Sequence, residues 1–500
     1  MRLGKIRGGI HPDGQKADSG RLPIKTDVPL PAVLYLPLCQ HAGADALPMV
    51  EVGDHVLKGQ CIASAAGGRS ANIHAPTSGV VKAIGNITMP HPSGLPAKAI
   101  TLEPDGNDEW IPLSPPDDPF SMPQEELANL VEAAGIVGMG GAIFPTAVKL
   151  RQGRRFEIKT LIINGSECEP YLTTDDRLMR ERAAEIVEGT RLTRHIIEAY
   201  RAIIAIEDNK PEAIAAMTEA AKDVGAIEVI AVPARYPMGS AKQLIQAITG
   251  LEVPAGARSN DIGVLVHNVA TIYAIQQALV AGKPLVSRIT TVAGGCIQQP
   301  QNVEALIGTP IQHLFDSCGG LKQRPARLLM GGPMMGQVLP TTDVPLIKGG
   351  SGVLALTQAE VNARMPSPCI HCNRCVSACP MGLTPLEMAR SSRRDDLDRA
   401  QDFGLKDCIL CGSCAYVCPS HIPLVQYFEY AKGELAERRA SQDKLALTQK
   451  LMSARQERVE AEAAAKKAAK AAKKAKKKPS AAKPAASTVD TGAEALAEVE

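Results

Sequence analysis

Aromatic side chains make up only 3% of this 500-residue chain, which has a single Trp, so its cores must be built from Ala, Val, Ile and Leu. No apolar run approaches the ~18 consecutive residues that span a bilayer. The first residues, Met1-Arg2-Leu3-Gly4-Lys5, lack the apolar stretch of an export signal, so none is expected. No glycine-rich loop ends in Gly-Lys-Ser/Thr, and the strict dinucleotide fingerprint is also missing. Charge of one sign is scarce overall, at a net +2, yet nine Lys and no acid fall within residues 466–483. The remainder is therefore net acidic. Pro479 and Pro484 break that Ala/Lys block, and it has no apolar face to pack. It reads as a solvated tail, disordered or partly helical, and a polybasic stretch drawn to an anionic membrane or an acidic partner is the sharper alternative. Nothing else suggests nucleic-acid binding, and none is expected.

Cysteine is what the chain does have, in a specific pattern. Cys369, Cys372, Cys375 and Cys379 precede Pro380, and Cys408, Cys411, Cys414 and Cys418 precede Pro419. Each run reads C-x2-C-x2-C-x3-C-P, the spacing that holds a [4Fe–4S] cube, with the fourth Cys usually serving the other cube. The expected sets are Cys369, Cys372, Cys375 and Cys418 for one cluster, and Cys408, Cys411, Cys414 and Cys379 for the other. Zinc sites favour two paired CxxC units, and disulfide frameworks suit small secreted domains. The other five cysteines, Cys39, Cys61, Cys168, Cys296 and Cys318, are scattered, as free thiols in a reducing compartment would be.

The chain divides by pattern. Residues 1–25 read as an arm. Residues 26–115 are short apolar runs broken by Gly and Pro, a small β-rich module. Within it Val52–Gln60 and His74–Val81 resemble the two halves of a biotinyl/lipoyl hammerhead domain. The turn between them, Ala65–Ser70, has no lysine to modify, so the module reads as structural. In 116–285, apolar runs at Leu161–Ile163, Ala202–Ile206, Val229–Val232 and Ile262–Val266 alternate with helical stretches at Arg177–Tyr200 and Glu212–Asp223. That alternation predicts a doubly wound α/β sheet with its ligand at the carboxyl ends of the strands. Residues 286–358, with a strand at Arg288–Ala293, a short helix opening at Thr309–Leu314 and the run Gly331–Gly336, resemble a soluble-ligand-binding β-grasp domain. Residues 359–430 carry the cysteines, with a helix expected over Leu386–Leu397, and 431–500 form the tail. The fold class is thus multidomain α/β.

A second signal is the loop Gly135–Lys149, which holds Gly138, Gly140, Gly141 and Phe144-Pro145-Thr146. Glycines let a backbone approach a ligand closely, and a helix starting near Pro145 would aim its free N–H groups at an anion. The segments Asn164-Gly165-Ser166-Glu167-Cys168-Glu169-Pro170 and His267-Asn268-Val269-Ala270-Thr271 follow the flanking strands. Together the three resemble the flavin- and NADH-binding subunit of respiratory complex I. That resemblance implies FMN held by Gly138, Gly140, Gly141 and Lys149, with Asn164, Asn268 and Thr271 on the flavin. It places Phe144 against the nicotinamide or adenine and Glu169 near NADH. Glu167 reaches the flavin or caps the next helix. Met139, Ser166 and the Tyr236–Ala241 segment depart from that family's residues.

The order of arm (with Gly8-Gly9-Ile10-His11-Pro12), hammerhead, flavin-type domain, β-grasp and two clusters resembles the RnfC family, the peripheral NADH-binding subunits of Rnf electron-transport complexes. This implies FMN and two [4Fe–4S] clusters as cofactors and NADH/NAD+ as substrate. It also implies membrane-complex partners that include a ferredoxin-like iron–sulfur subunit, and a peripheral place on the cytoplasmic face of the bacterial inner membrane. Flavin belongs between a hydride donor and one-electron cubes. Two other readings stay open: an iron–sulfur relay without flavin, and a soluble dehydrogenase module for another acceptor. His11, His74 and His267 lack a spaced second ligand and read as loop or core residues, Met334 and Met335 as packing, and Cys168 as a plain buried thiol.

Overall fold

The computed structural model describes residues 4, 6–361 and 364–475. Two compact units result, Met1–Lys432 and Gly433–Glu500.

Small antiparallel sheets open the first unit. One has the strand order Leu34–Pro37, Pro96–Pro104, Gly79–Thr88 and His55–Val56, and the other Leu47–Pro48, Cys61–Ser64 and Ile73–His74. His55 pairs with Val80, which joins the two hammerhead-like halves. Ala65–Ser70 lies in the connection between the Cys61–Ser64 and Ile73–His74 strands. Alternate side chains such as Leu34, Leu36, Ile100 and Leu102 are fully buried, the period-2 pattern of a sheet with one face on a core. That core is continuous with the α/β domain through Leu127, Leu161 and Leu279.

The α/β sheet is wholly parallel, with the order Ile227–Val232, Arg201–Glu207, Thr160–Gly165 and Val264–Asn268. Strand order reverses beside Thr160–Gly165, and the register sets Asn164 opposite Asn268 at the carboxyl ends. This is the switch-point crevice where such sheets bind ligands. Pro211 occupies the first turn of the Pro211–Ala221 helix, where its missing N–H costs nothing.

Three expectations need correction. Arg177–Tyr200 is not one helix but two, Thr174–Glu181 and Ala183–Ile196. Arg182 leaves helical geometry at φ −134°, and the first helix starts early because a carboxylate, Glu167, covers its leading amides. Ile262 belongs to a 3-10 turn, Ser259–Ile262, and Gly263 at φ +71° delays the strand to Val264. Leu386–Leu397 splits into Pro385–Ser392 and Leu397–Asp402, since Asp395 adopts φ +57° and Asp396 caps the second helix through the Arg399 amide.

A five-stranded mixed sheet follows, in the order Gln301–Leu306, Ser287–Ala293, Gly352–Leu356, Arg327–Met330 and Gln337–Val338, with the helix Ile311–Ser317 beside it. The cysteine region is built of short helices, including Arg374–Ala378 and Ser413–Tyr416. The arm is pinned rather than loose. Gly9 N–H donates to Ala378 O (2.9 Å), and Ile10 pairs with Tyr236. Gly8 has φ +56°, and a Cβ there would fall 2.3 Å from Cys379 O, so only glycine fits.

In the second unit, residues from Gly433 to Ala475 are helical, the end of a helix that begins at Leu424. The rest of the Lys block, 476–483, lies outside the described residues. No helix among those described is long and apolar enough to cross a membrane.

Candidate functional site

The glycine loop closes on itself, with Gly138 N–H donating to Phe144 O at 2.8 Å. Two buried groups fasten its centre. Met139 N–H donates to Thr271 Oγ1 (2.9 Å), and Arg288 Nη2 donates to Met139 O (3.2 Å). Gly140 passes so near Asn268 that an added Cβ would sit 3.1 Å from the Asn268 Cβ. Gly141 is exposed at φ +109°, and Phe144 is half-buried. The Thr146–Gly153 helix starts directly after Pro145 with no side chain capping its first amides. Thr146 Oγ1 is buried there without a partner. One turn on, Lys149 Nζ donates to Val266 O, and burial pushes its ammonium down to about 8. Thr146 N–H itself donates to Ile136 O (3.0 Å), so the helix start offers the following, uncapped amides, and with the orphan hydroxyl and the desolvated cation its chemistry fits a phosphate-bearing cofactor.

The strand ends complete the crevice. Asn164 Nδ2 donates to Gly239 O (2.8 Å) and its Oδ1 accepts from Ser166 N (3.1 Å). Asn268 Oδ1 accepts from Ala270 N (2.9 Å), and its Nδ2 donates to Asp175 Oδ2 (2.7 Å). Glu167 takes the capping role: its carboxylate accepts from Asp175 N (2.7 Å) and Asp176 N (3.2 Å). Burial raises Glu167 to about 7, against the pull of Lys16. Glu169 is also raised to about 7 by burial. Its Oε2 accepts from Met334 N (3.0 Å), while Oε1 has no partner. Ser166 Oγ and Asp175 Oδ1 are likewise buried and unpartnered. Orphan polar atoms this concentrated mark a site that a polar ligand completes. Cys168 is a desolvated thiol with a raised pKa, accepting from Gly239 N at 3.3 Å.

Three charged residues at this site went unrecognised in the sequence. Lys16, from the arm, donates to Glu167 O (2.7 Å) and Leu172 O (2.5 Å). Lys210 donates to Ser166 O (2.6 Å) and pairs with Glu207 (3.1 Å). Arg288 is 3% exposed, at the second position of a strand whose inward residues are otherwise uncharged. Only a buried basic residue in an apolar alternation could have signalled it.

The cysteines gather in two cages. Cys369, Cys372, Cys375 and Cys418 line one cavity, and Cys379, Cys408, Cys411 and Cys414 line the other. The fourth cysteine of each run crosses to the other cage. Among the described residues no three His, Cys, Asp or Glu side chains converge on one ion. Four thiols around a larger space suit a polynuclear cube rather than a single zinc. Burial and the nearby Cys411, Cys408 and Cys379 raise the Cys414 thiol well above its usual value. Coordination by iron offsets that cost by binding the thiolate.

Comparison with known proteins accords with both sites. Residues 131–277 match the Nuo51 FMN-binding domain and 368–422 a 4Fe-4S dicluster domain. Residues 4–107 match the RnfC barrel sandwich hybrid domain, and 289–338 the SLBB domain. Fold and site thus define a flavin- and iron–sulfur-carrying electron-transport protein, with FMN and two [4Fe–4S] clusters as its cofactors. The C component of the ion-translocating oxidoreductase complex of Rhodobacter capsulatus is 50% identical over 87% of this chain and 84% of that protein. The protein of the same description from Klebsiella pneumoniae is 43% identical over 99% of this chain and 64% of its own length. In the Pasteurella multocida relative the match is 41% identical, and the chain spans 52% of that protein. The chain belongs to this RnfC family, the C components of ion-translocating oxidoreductase complexes.

Proposed function

We propose that this chain is the NADH-oxidising entry subunit of a membrane-bound ion-translocating electron-transport complex. It would link NADH to partner subunits, a ferredoxin-like iron–sulfur subunit among them. Partners would hold it peripherally on the cytoplasmic face of the membrane. The carrying observation is that one loop, Tyr236–Gly239, touches both sites: Gly239 O receives the Asn164 amide, and Tyr236 OH donates to Cys411 O.

Bound FMN accepts the two electrons of a hydride and releases them singly. The chain's own residues prepare the crevice for that exchange. The uncapped amides after Thr146 and Lys149 would hold the phosphate, and Gly138, Gly140 and Gly141 would let the backbone lie against the ring edge. Asn164, Asn268 and Thr271 are fixed by partners already in place and present rigid polar edges. Phe144 and Glu169 would face the nicotinamide nucleotide. The eight cage cysteines hold the cubes.

An anaerobic titration of the cluster-reconstituted chain with FMN and then NADH tests this by visible absorbance and EPR. A stoichiometric flavin that NADH bleaches, followed by reduced-cube signals, supports the reading. Iron near about eight per chain, with no binding of flavin or NADH, makes the chain a relay.

A further inference from the structure

The two cages differ in what surrounds them. The Cys379/Cys408/Cys411/Cys414 cage is built against the flavin domain. Tyr236 OH donates to Cys411 O (2.7 Å), Gln243 Nε2 donates to Pro380 O (3.2 Å), and Lys242 pairs with Asp407 (3.3 Å). Cys411 and Cys414 are buried, and Cys411 shares an apolar cluster with Tyr236 and Ile10, against which Cys168 packs.

The Cys369/Cys372/Cys375/Cys418 cage is more open to solvent. Cys369 and Cys372 are exposed, and so is every residue from Arg364 to Asn373, with Met365 at 88% and Ile370 at 66%. The hydrogen bonds that tether this stretch, Ser367 N to Ser420 O (2.9 Å) and Ser420 Oγ to Pro368 O (2.9 Å), run within the cysteine region itself. Residues 361–386 contain Arg364, His371 and Arg374 but no Asp or Glu. Two exposed apolar side chains, Met365 and Ile370, in one exposed stretch with Arg364 and Arg374 beside exposed cluster ligands match the anatomy of a small electron-transfer interface. The charge selects an acidic partner.

Resting on the entry-subunit reading, we propose a fixed order for the two cages. The Cys379/Cys408/Cys411/Cys414 cube receives electrons from the flavin crevice. The Cys369/Cys372/Cys375/Cys418 cube delivers them, across Arg364–Arg374, to a one-electron carrier protein with an acidic surface. NADH is oxidised to NAD+ and a proton. Its two electrons reduce the cubes by one each, and each leaves singly to an oxidised carrier.

Paired ligand deletions in the reconstituted full chain test the order. Cys369→Ala/Cys372→Ala should lose about half the iron and keep a cube whose EPR signal NADH still develops. Cys408→Ala/Cys411→Ala should keep a cube that dithionite reduces and NADH does not. The reverse pattern overturns the order. Should either variant fail to fold, wild-type protein tests the exposure difference on which the order rests. After limited chelator and ferricyanide treatment, iodoacetamide should label Cys369 and Cys372 before Cys408 and Cys411, read by peptide mass spectrometry; equal or opposite labelling overturns it. For the surface, the probe is the acidic soluble domain of cytochrome b5, mixed with dithionite-reduced chain freed of excess reductant. Arg364→Glu/Met365→Glu should slow its reduction about tenfold and abolish the salt dependence. Reduction at the wild-type rate overturns the docking surface. Failure of NADH to reduce either cube in wild type sinks the entry-subunit reading instead, and the labelling and dithionite-driven measurements remain decisive for the inference.

Discussion

The phenol of Tyr236 donates to the backbone carbonyl of Cys411 over 2.7 Å, joining the flavin domain to a cluster cage through one hydrogen bond. Both residues are buried. Tyr236→Phe keeps the packing and leaves a buried acceptor unsatisfied, so it should destabilise the chain by about 1 kcal/mol. It should also slow NADH-driven cube reduction in stopped-flow absorbance without loss of iron. Reduction at an unchanged rate would remove this contact from the electron path.

Lys149 offers its charge where a phosphate is expected, and burial holds its pKa at about 8. A bound phosphate favours the ammonium, so FMN affinity should be full below that pH and decline as pH rises through it. Lys149→Met should weaken FMN binding by about ten- to a hundredfold, the loss of one charge-assisted hydrogen bond, and should lack the alkaline decline. Quenching of flavin fluorescence across pH 6–10 (roughly the span of that titration) reads both.

Gly140 needs no positive φ, so its role is space. Alanine would place a methyl 3.1 Å from the Asn268 Cβ, and Asn268 is held by both Asp175 and Ala270. Gly140→Ala should reduce FMN affinity about tenfold, in line with about 1 kcal/mol of overpacking. Because the crowding is within the protein, the apo-protein's melting temperature should also fall, by about 2 °C for about 1 kcal/mol in a domain of this size. A large fall in melting temperature at unchanged affinity would mean that the loop is merely structural.

Lys348 is buried with its Nζ on Asn72 O (2.5 Å) and Gly135 O (2.7 Å), and burial lowers it to about 7. The unfolded chain binds more protons than the folded one between about pH 7 and the usual 10.5, so this residue makes stability rise with pH across that window. Below pH 7 both states are protonated and the penalty is constant. Lys348→Met should flatten the rise, as judged by denaturant midpoints at pH 7 and 9.5 (chosen as roughly the two sides of the transition). The same slope in both proteins would contradict it.

Where the sequence could be read, the determinants were local. Two C-x2-C-x2-C-x3-C-P runs dictate cubes because three thiolates within seven residues (Cys369–Cys375 and Cys408–Cys414) supply three corners of one cluster, and the fourth thiol of each run is placed to serve the other. Alternating apolar runs and helices gave the parallel sheet, and Pro145 and Pro211 marked helix starts, because each pattern is set within a few residues of itself. The early start at Thr174 and the split at Asp395 were not legible, since side chains outside the helical repeat, Glu167 and Asp396, decide where those helices begin.

Contacts distant in sequence were decided only by tertiary structure. Lys16 and Arg288 lie about 150 residues before and about 110 after Glu167 and Asp175 (positions from the sequence), and only folding brings them to one crevice. The same holds for which cage is buried and which exposed. Both runs have identical spacing, so spacing cannot distinguish them; Tyr236, Gln243 and Lys242 packing against one, with Met365 exposed beside the other, does. Sequence by itself determined the two clusters this chain holds, because ligand spacing is a short-range property. The direction in which they face was left to the fold, because burial is a property of surfaces brought together from the whole chain.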